Sequence, residues 1–108
     1  MYIIKSKNYQ KSYKKKILDK HLEKEKTRIN NIENLLLASE NLHAVIQSPY
    51  KNVYHIEQKK NNLKKFYTAR INDKLRLIMK PSGNYPYNLI EIEEIEFIQI
   101  DDKHYKEG

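Results

Sequence analysis

The sequence predicts an α+β fold: an N-terminal strand, two or three helices, then a three-stranded antiparallel β-sheet. Three observations carry this. Tyr2-Ile3-Ile4 is a short run of strand-forming residues at the start of the chain. Apolar residues recur at spacings of three and four between Tyr9 and Ile46. From Leu63 onward the apolar pattern is that of strands separated by turn residues. A chain of 108 residues fits one domain, residues 1–108, with a single core. No internal repeat or flexible linker divides it.

Each element has its own signal. Ser6 and Asn8 bound the first strand, and Asn8 is suited to cap a helix. Tyr9, Tyr13 and Ile17 then give one apolar face, while Lys14, Lys15 and Lys16 fall mostly on the others. The pattern weakens over residues 20–27, where charges crowd. Ile29, Ile32, Leu35 and Leu36 define a second helix, and a turn follows at Ser39-Glu40. A shorter helix runs from Asn41 to Gln47 and stops before Pro49. Residues 48–62 have no period and read as an ordered loop.

The runs from Leu63 to Ile71 and from Leu75 to Met79 then form a hairpin across Asn72-Asp73-Lys74. Residues 81–86, with two prolines and Gly83, form a loop. Glu91 to Ile100 is the last strand, and its alternation breaks at Glu93-Glu94, which marks a bulge, a bend or the true strand start. The sheet is expected to be mainly antiparallel apart from the first strand.

The formal charge is +7, unevenly spread. Residues 1–80 hold 19 Lys or Arg against 7 Asp or Glu; residues 81–108 hold 2 against 7. A basic domain suits a polyanion, nucleic acid first and an anionic membrane surface second. No segment has the roughly 20 apolar residues of a membrane span, and Met1 to Lys5 lacks the apolar run of a signal peptide. There is no cysteine, so neither a disulfide framework nor a thiolate metal site. The four histidines, at 21, 43, 55 and 104, have no metal-ligand spacing. No metal and no cofactor are expected, and the default is a soluble cytoplasmic protein.

Several residues could do chemistry. Lysine outnumbers arginine heavily, so the arginines stand out. Arginine grips phosphate through a planar fork. Arg76 lies inside the apolar run Leu75-x-Leu77-Ile78-Met79, and alternation places it on the face of Ile78, opposite Leu75 and Leu77. From spacing alone, a solvated arginine on an open sheet face is the plainer reading. His104 and Tyr105 follow the last strand, and both types can move a proton. A frayed terminus or a packed aromatic would also place them there. The loop before the hairpin sets Glu57 among Lys59, Lys60, Lys64 and Lys65, a carboxylate base among phosphate-neutralising cations, or simply a polar loop.

Taken together, residues 62–78 (NLKKFYTARINDKLRLI) resemble the hairpin of the RelE/ParE superfamily of toxins, roughly NLxGxxSxRIxxxxRLxx. The chain departs from that pattern in Lys65, where glycine is usual, and in Ala69, where a basic residue is common. Its loop over residues 80–91 is also longer than in YoeB. The element order, the length and the His104-Tyr105 pair are similar too, nearest the YoeB and HigB branches.

The resemblance implies a toxin of a bacterial toxin–antitoxin pair that cuts mRNA on the ribosome without a metal. It implies Arg76 as the catalytic arginine, Glu57 as general base, and His104 with Tyr105 as the C-terminal pair. Lys60 and Arg70 would assist at the phosphate, with Lys59, Lys64 and Lys65 also binding RNA. The implied partners are a cognate antitoxin, mRNA and the ribosome, with no membrane; a homodimer is compatible with it. A ParE-like DNA gyrase poison and a non-catalytic RNA-binding module are the alternatives.

Overall fold

Ser6 joins the first strand, the first helix and the centre of the sheet. In the computed structural model, which describes residues 1–102, strand β1 (Tyr2–Lys5) ends at this serine. Its hydroxyl accepts a hydrogen bond from the Tyr9 N–H at 3.0 Å, capping helix α1 (Lys7–Tyr13). The same hydroxyl donates to the Ile98 carbonyl at 2.7 Å. The helix thus starts at Ser6 and not at the expected Asn8. Ser6 keeps an extended backbone, as a capping residue must, whereas Asn8 is already inside the helix.

Helix α1 runs into a π-helical turn, Lys14–Leu18. There the Asp19 N–H donates to Lys14 O and the Leu22 N–H to Ile17 O. Tyr9, Tyr13 and Ile17 recur every fourth residue, and a wider turn keeps that spacing on one face. Tyr9 and Ile17 are buried, and Tyr9 meets Phe97 edge-on at 5.2 Å.

Helix α2 (Glu23–Ala38) begins six residues before the apolar stripe that announces it. Its first turn carries Glu23 and Glu25, favourable at the positive end of a helix dipole. Ile29, Ile32 and Leu36 are its buried face. Asn41 caps α3 (Leu42–Gln47) by accepting from the Ala44 N–H at 2.9 Å, so the helix starts one residue later than expected. Residues 48–62 carry more regular structure than the ordered loop expected of them. They hold a single turn of helix, α4 (Tyr50–Val53), a two-residue strand, β2 (Glu57–Gln58), and a 3₁₀ turn at Asn61–Leu63.

The hairpin follows as β3 (Tyr67–Arg70) and β4 (Leu75–Pro81). The Asn72 side chain closes its turn by accepting from the N–H groups of Lys74 and Leu75, both at 2.8 Å. The first hairpin strand starts at Tyr67, not Leu63, because residues 61–63 coil. Strand β5 (Glu94–Asp102) starts at the second of the paired glutamates. The break at Glu93-Glu94 is therefore the strand start.

The five strands lie in the order β1-β5-β4-β3-β2, with β1 parallel to β5 and the rest antiparallel. The expected α+β architecture holds, with β2 added at one edge.

One sheet face carries the core. Tyr67, Ala69, Leu77, Met79, Ile95, Phe97 and Ile100 are buried there with the apolar faces of α1, α2 and α3. The register between β4 and β5 shifts near its middle: Ile78 faces Gln99, but Met79 faces Phe97. Ile98 is the extra residue, a β-bulge opposite an unbulged strand. Among the described residues no α-helix packs on the other face, which the 3₁₀ turn at Asn61–Leu63 borders.

Candidate active site

The open face of the sheet gathers the polar residues of three adjacent strands. Residues directly opposite in a sheet share a face. One row across the sheet is therefore Arg70, Arg76 and Asp101. The next row is Glu57, Thr68, Ile78 and Gln99. Glu57 lies two strands and one same-face step from Arg76, about 12 Å between Cα atoms from strand spacing and rise.

Arg76 is half-buried, and its Nη1 donates to the turn carbonyls of Asn72 at 2.6 Å and Leu75 at 3.0 Å. These bonds hold one end of the guanidinium against the hairpin turn. Arg70 stands directly across from it. Like charges in opposite positions repel, and two carboxylates offset that repulsion. Asp101 faces Arg76 on the other side, and Asp73 pairs with Arg70 at 3.4 Å. Asp73 is 94% exposed, so its pair with Arg70 is weak. The Arg70 Nε is buried and has no hydrogen-bond partner. Two adjacent guanidiniums, one with an unanswered donor, form a place that favours a bound anion.

The lysines of the preceding segment divide. Lys60, Lys64 and Lys65 are exposed. Lys59 is only 8% exposed and lines a concavity of about 130 Å³ on the open face. It is not the solvated loop cation that its neighbours suggest. The segment is pinned over the sheet by three hydrogen bonds: Lys59 N–H to Phe66 O, Gln58 Nε2 to Lys64 O, and Tyr87 Oη to Lys65 O.

His55 turns the backbone after α4 with a positive φ of 49° and is exposed, apart from this arrangement. His104 and Tyr105 lie outside the described residues. The strand that leads to them ends with Asp101 opposite Arg76 and Asp102 opposite Leu75.

Thr68, Gln99 and Asp101 belong to the open face and have no separate signal in the sequence. Alternation counted from Phe97 would put Gln99 and Asp101 in the core, and only the bulge turns them outward. The third arginine serves the other side of the sheet. Arg28 donates to the carbonyls of Arg70 and Val53 and stacks over Tyr54 at 5.0 Å. It lines a concavity of about 680 Å³ between α2, α4 and the hairpin turn, with charges of both signs: Lys24, Arg28, Glu25 and Asp73. No helix among the described residues is long and apolar enough to cross a membrane.

No family model matches the sequence, and no curated protein does. Solved structures do match, over nearly the whole chain. YafQ from E. coli strain BL21(DE3) superposes with a TM-score of 0.63 at 17% identity, covering 94% of this chain and 91% of its own. A copper-bound mutant toxin from Helicobacter pylori gives 0.58 at 14% identity, covering 95% and 94%. A YoeB/ParE toxin from Agrobacterium tumefaciens gives 0.52 at 16% identity, covering 94% and 98%. These neighbours are RelE/ParE-type toxins. The fold of this chain is therefore the RelE-like α+β fold that the hairpin resemblance implies.

Proposed function

We propose that this protein is the toxin of a toxin–antitoxin pair and cuts mRNA on the ribosome. The observation that carries the reading is the placement of Glu57, Arg70 and Arg76 on the sheet face opposite helices α1, α2 and α3. It is supported by the fold shared with toxins and by the basic charge of residues 1–80. Glu57 takes the proton of a ribose 2′-OH. The 2′ oxygen forms a bond to the adjacent phosphorus as the bond from phosphorus to the 5′ oxygen breaks. The products are a 2′,3′-cyclic phosphate and a 5′-OH. Arg76, helped by Arg70 and Lys60, stabilises the added negative charge on the phosphorane. His104 or Tyr105 protonates the leaving 5′ oxygen.

Proton transfer by a placed side chain is worth about 10²–10⁴-fold, and one charged donor roughly 3–4 kcal/mol. Lys59, Lys64 and Lys65 add affinity for the RNA backbone, and that affinity falls with salt. A substrate without the 2′-OH, such as DNA, resists cutting. The partner in the cell is an antitoxin whose acidic or amphipathic segment meets the basic surface.

The test is cell-free translation of a defined mRNA. The wild-type protein stops synthesis and leaves cut message with 5′-OH ends, and Arg76→Ala does neither. Cutting by Arg76→Ala at the wild-type rate would overturn the assignment. A gyrase poison of the same fold would leave translation of preformed mRNA intact.

A further inference from the structure

Helix α2 holds the hairpin turn at two points. Glu25 and Arg28 stand three residues apart and so share one face of the helix. The Arg28 Nε donates to the Arg70 carbonyl at 2.7 Å, which fixes the entry to the turn. Glu25 reaches further along: its Oε2 accepts from the Asn72 Nδ2 at 2.9 Å. Both residues are half-buried, so the bond is partly shielded from water. The other end of the same amide faces the turn, where Asn72 Oδ1 accepts from the N–H groups of Lys74 and Leu75, both at 2.8 Å. The Asn72 backbone carbonyl in turn accepts from the Arg76 Nη1 at 2.6 Å. A continuous path of hydrogen bonds thus runs from the Glu25 carboxylate through one residue of the turn to the guanidinium.

Closure of the turn does not explain the Glu25 contact. It uses only the side-chain oxygen of Asn72, which an aspartate would supply equally well. The amide nitrogen is the atom the turn does not use, and it is the one Glu25 takes. We propose that Glu25 is a positioning residue for the reaction: it fixes the Asn72 side chain and, through the Asn72 carbonyl, the direction from which Arg76 meets the phosphate. The inference rests on the RNA-cleaving reading and adds to it a residue from the helical side of the sheet. A charged donor works best when its direction is set before the charge develops. A displacement of about 1 Å from a remote change costs about a hundredfold in rate. With Arg28 holding the Arg70 carbonyl, loss of the Glu25 bond leaves the turn free to shift at its Asn72 side.

The experiment uses the full chain and exchanges donor and acceptor across the bond. Asn72→Asp keeps both bonds that close the turn but sets a second carboxylate against Glu25. Its kcat for cutting ribosome-bound mRNA is expected to fall by about a hundredfold with KM little changed. Adding Glu25→Gln restores the bond in reverse, the glutamine amide donating to the aspartate, and the double variant recovers kcat. Glu25→Gln alone still accepts the Asn72 N–H and keeps kcat close to wild type, whereas Glu25→Ala loses it. All rates are read below the unfolding transition of the least stable variant. The chain has three arginines, so ¹⁵N-arginine labelling gives three side-chain Nε signals. The Arg76 signal moves in Asn72→Asp and returns in the double variant.

An Asn72→Asp protein that cuts at the wild-type rate overturns the proposal, as does a double variant that stays as slow as the single one. An Arg76 signal unmoved by Asn72→Asp overturns it whatever the rates. In each case loss of mRNA cutting in Arg76→Ala leaves the nuclease reading standing. An inactive wild-type protein would sink the nuclease reading itself, and the Arg76 signal would still show whether Glu25 sets the guanidinium.

Discussion

The two faces of the sheet are made from the same strands and have opposite tasks. On β4, Leu75, Leu77 and Met79 are buried against the helices, while Arg76 points the other way, next to Ile78. On β3, Tyr67 and Ala69 are buried, and Thr68 and Arg70 face out. The covered face holds the fold together through apolar burial. The open face collects like charges and an unanswered donor, which a fold seeking only stability would avoid. Alternation lets one strand serve both purposes, and it makes the two separable by substitution.

The comparison breaks most visibly at its extremes. Phe97→Ala, in the centre of the covered face, is expected to lower stability by about 3–5 kcal/mol. Urea unfolding checks this, and a loss below about 1 kcal/mol would show that the core is not centred there. Arg76→Ala, on the open face, is expected to lower mRNA cutting by about 10²–10³-fold. Its unfolding midpoint should move far less than that of Phe97→Ala, because Arg76 is half-buried on the open face and removing it leaves no cavity in the core.

Ser6→Ala lies between the faces. It removes a helix cap and the bond to the bulge carbonyl, so a loss of about 1 kcal/mol is expected. Its effect on cutting should be larger than that of other α1 substitutions of equal stability cost.

The smallest effect concerns pH. Burial raises the Tyr9 phenol above its ordinary value, with Tyr13 and Glu33 adding to the shift. The folded state therefore keeps a proton that the unfolded chain gives up near pH 10. The stability from this group is full below about pH 10 and falls as pH rises further. Tyr9→Phe should extend the alkaline limit of folding by a fraction of a pH unit, read by circular dichroism. An unchanged limit would mean that Tyr9 does not control alkaline unfolding.

How much was legible differs between the faces as well. The covered face follows from local pattern: Tyr9, Tyr13 and Ile17 at spacing four, Ile29, Ile32 and Leu36 on α2, Leu75 and Leu77 on β4. Arg76 was legible for the same reason, since its neighbours fix its direction. The rest of the open face was not. Glu57 and Gln58 are too few to show a period, and they become a strand only because β3 offers them a partner. Lys59 and Lys60 look alike in sequence, and only the folding of residues 59–66 over the sheet buries one and exposes the other. Gln99 and Asp101 depend on the bulge, which no residue type announces.

That bulge acts as a parity switch in β5. Before Ile98, residues with odd numbers face the helices, as Ile95 and Phe97 do. After it, the even-numbered Ile100 does. Removing Ile98 would erase the bulge and leave the downstream faces as they are: Gln99 would follow Phe97 on the open face, Ile100 would stay in the core and Asp101 would stay outward. Straightening β5 with every residue kept would instead carry Ile100 out of the core and Gln99 and Asp101 into it. One supernumerary residue therefore reconciles the order of side chains along β5 with the row opposite Arg76.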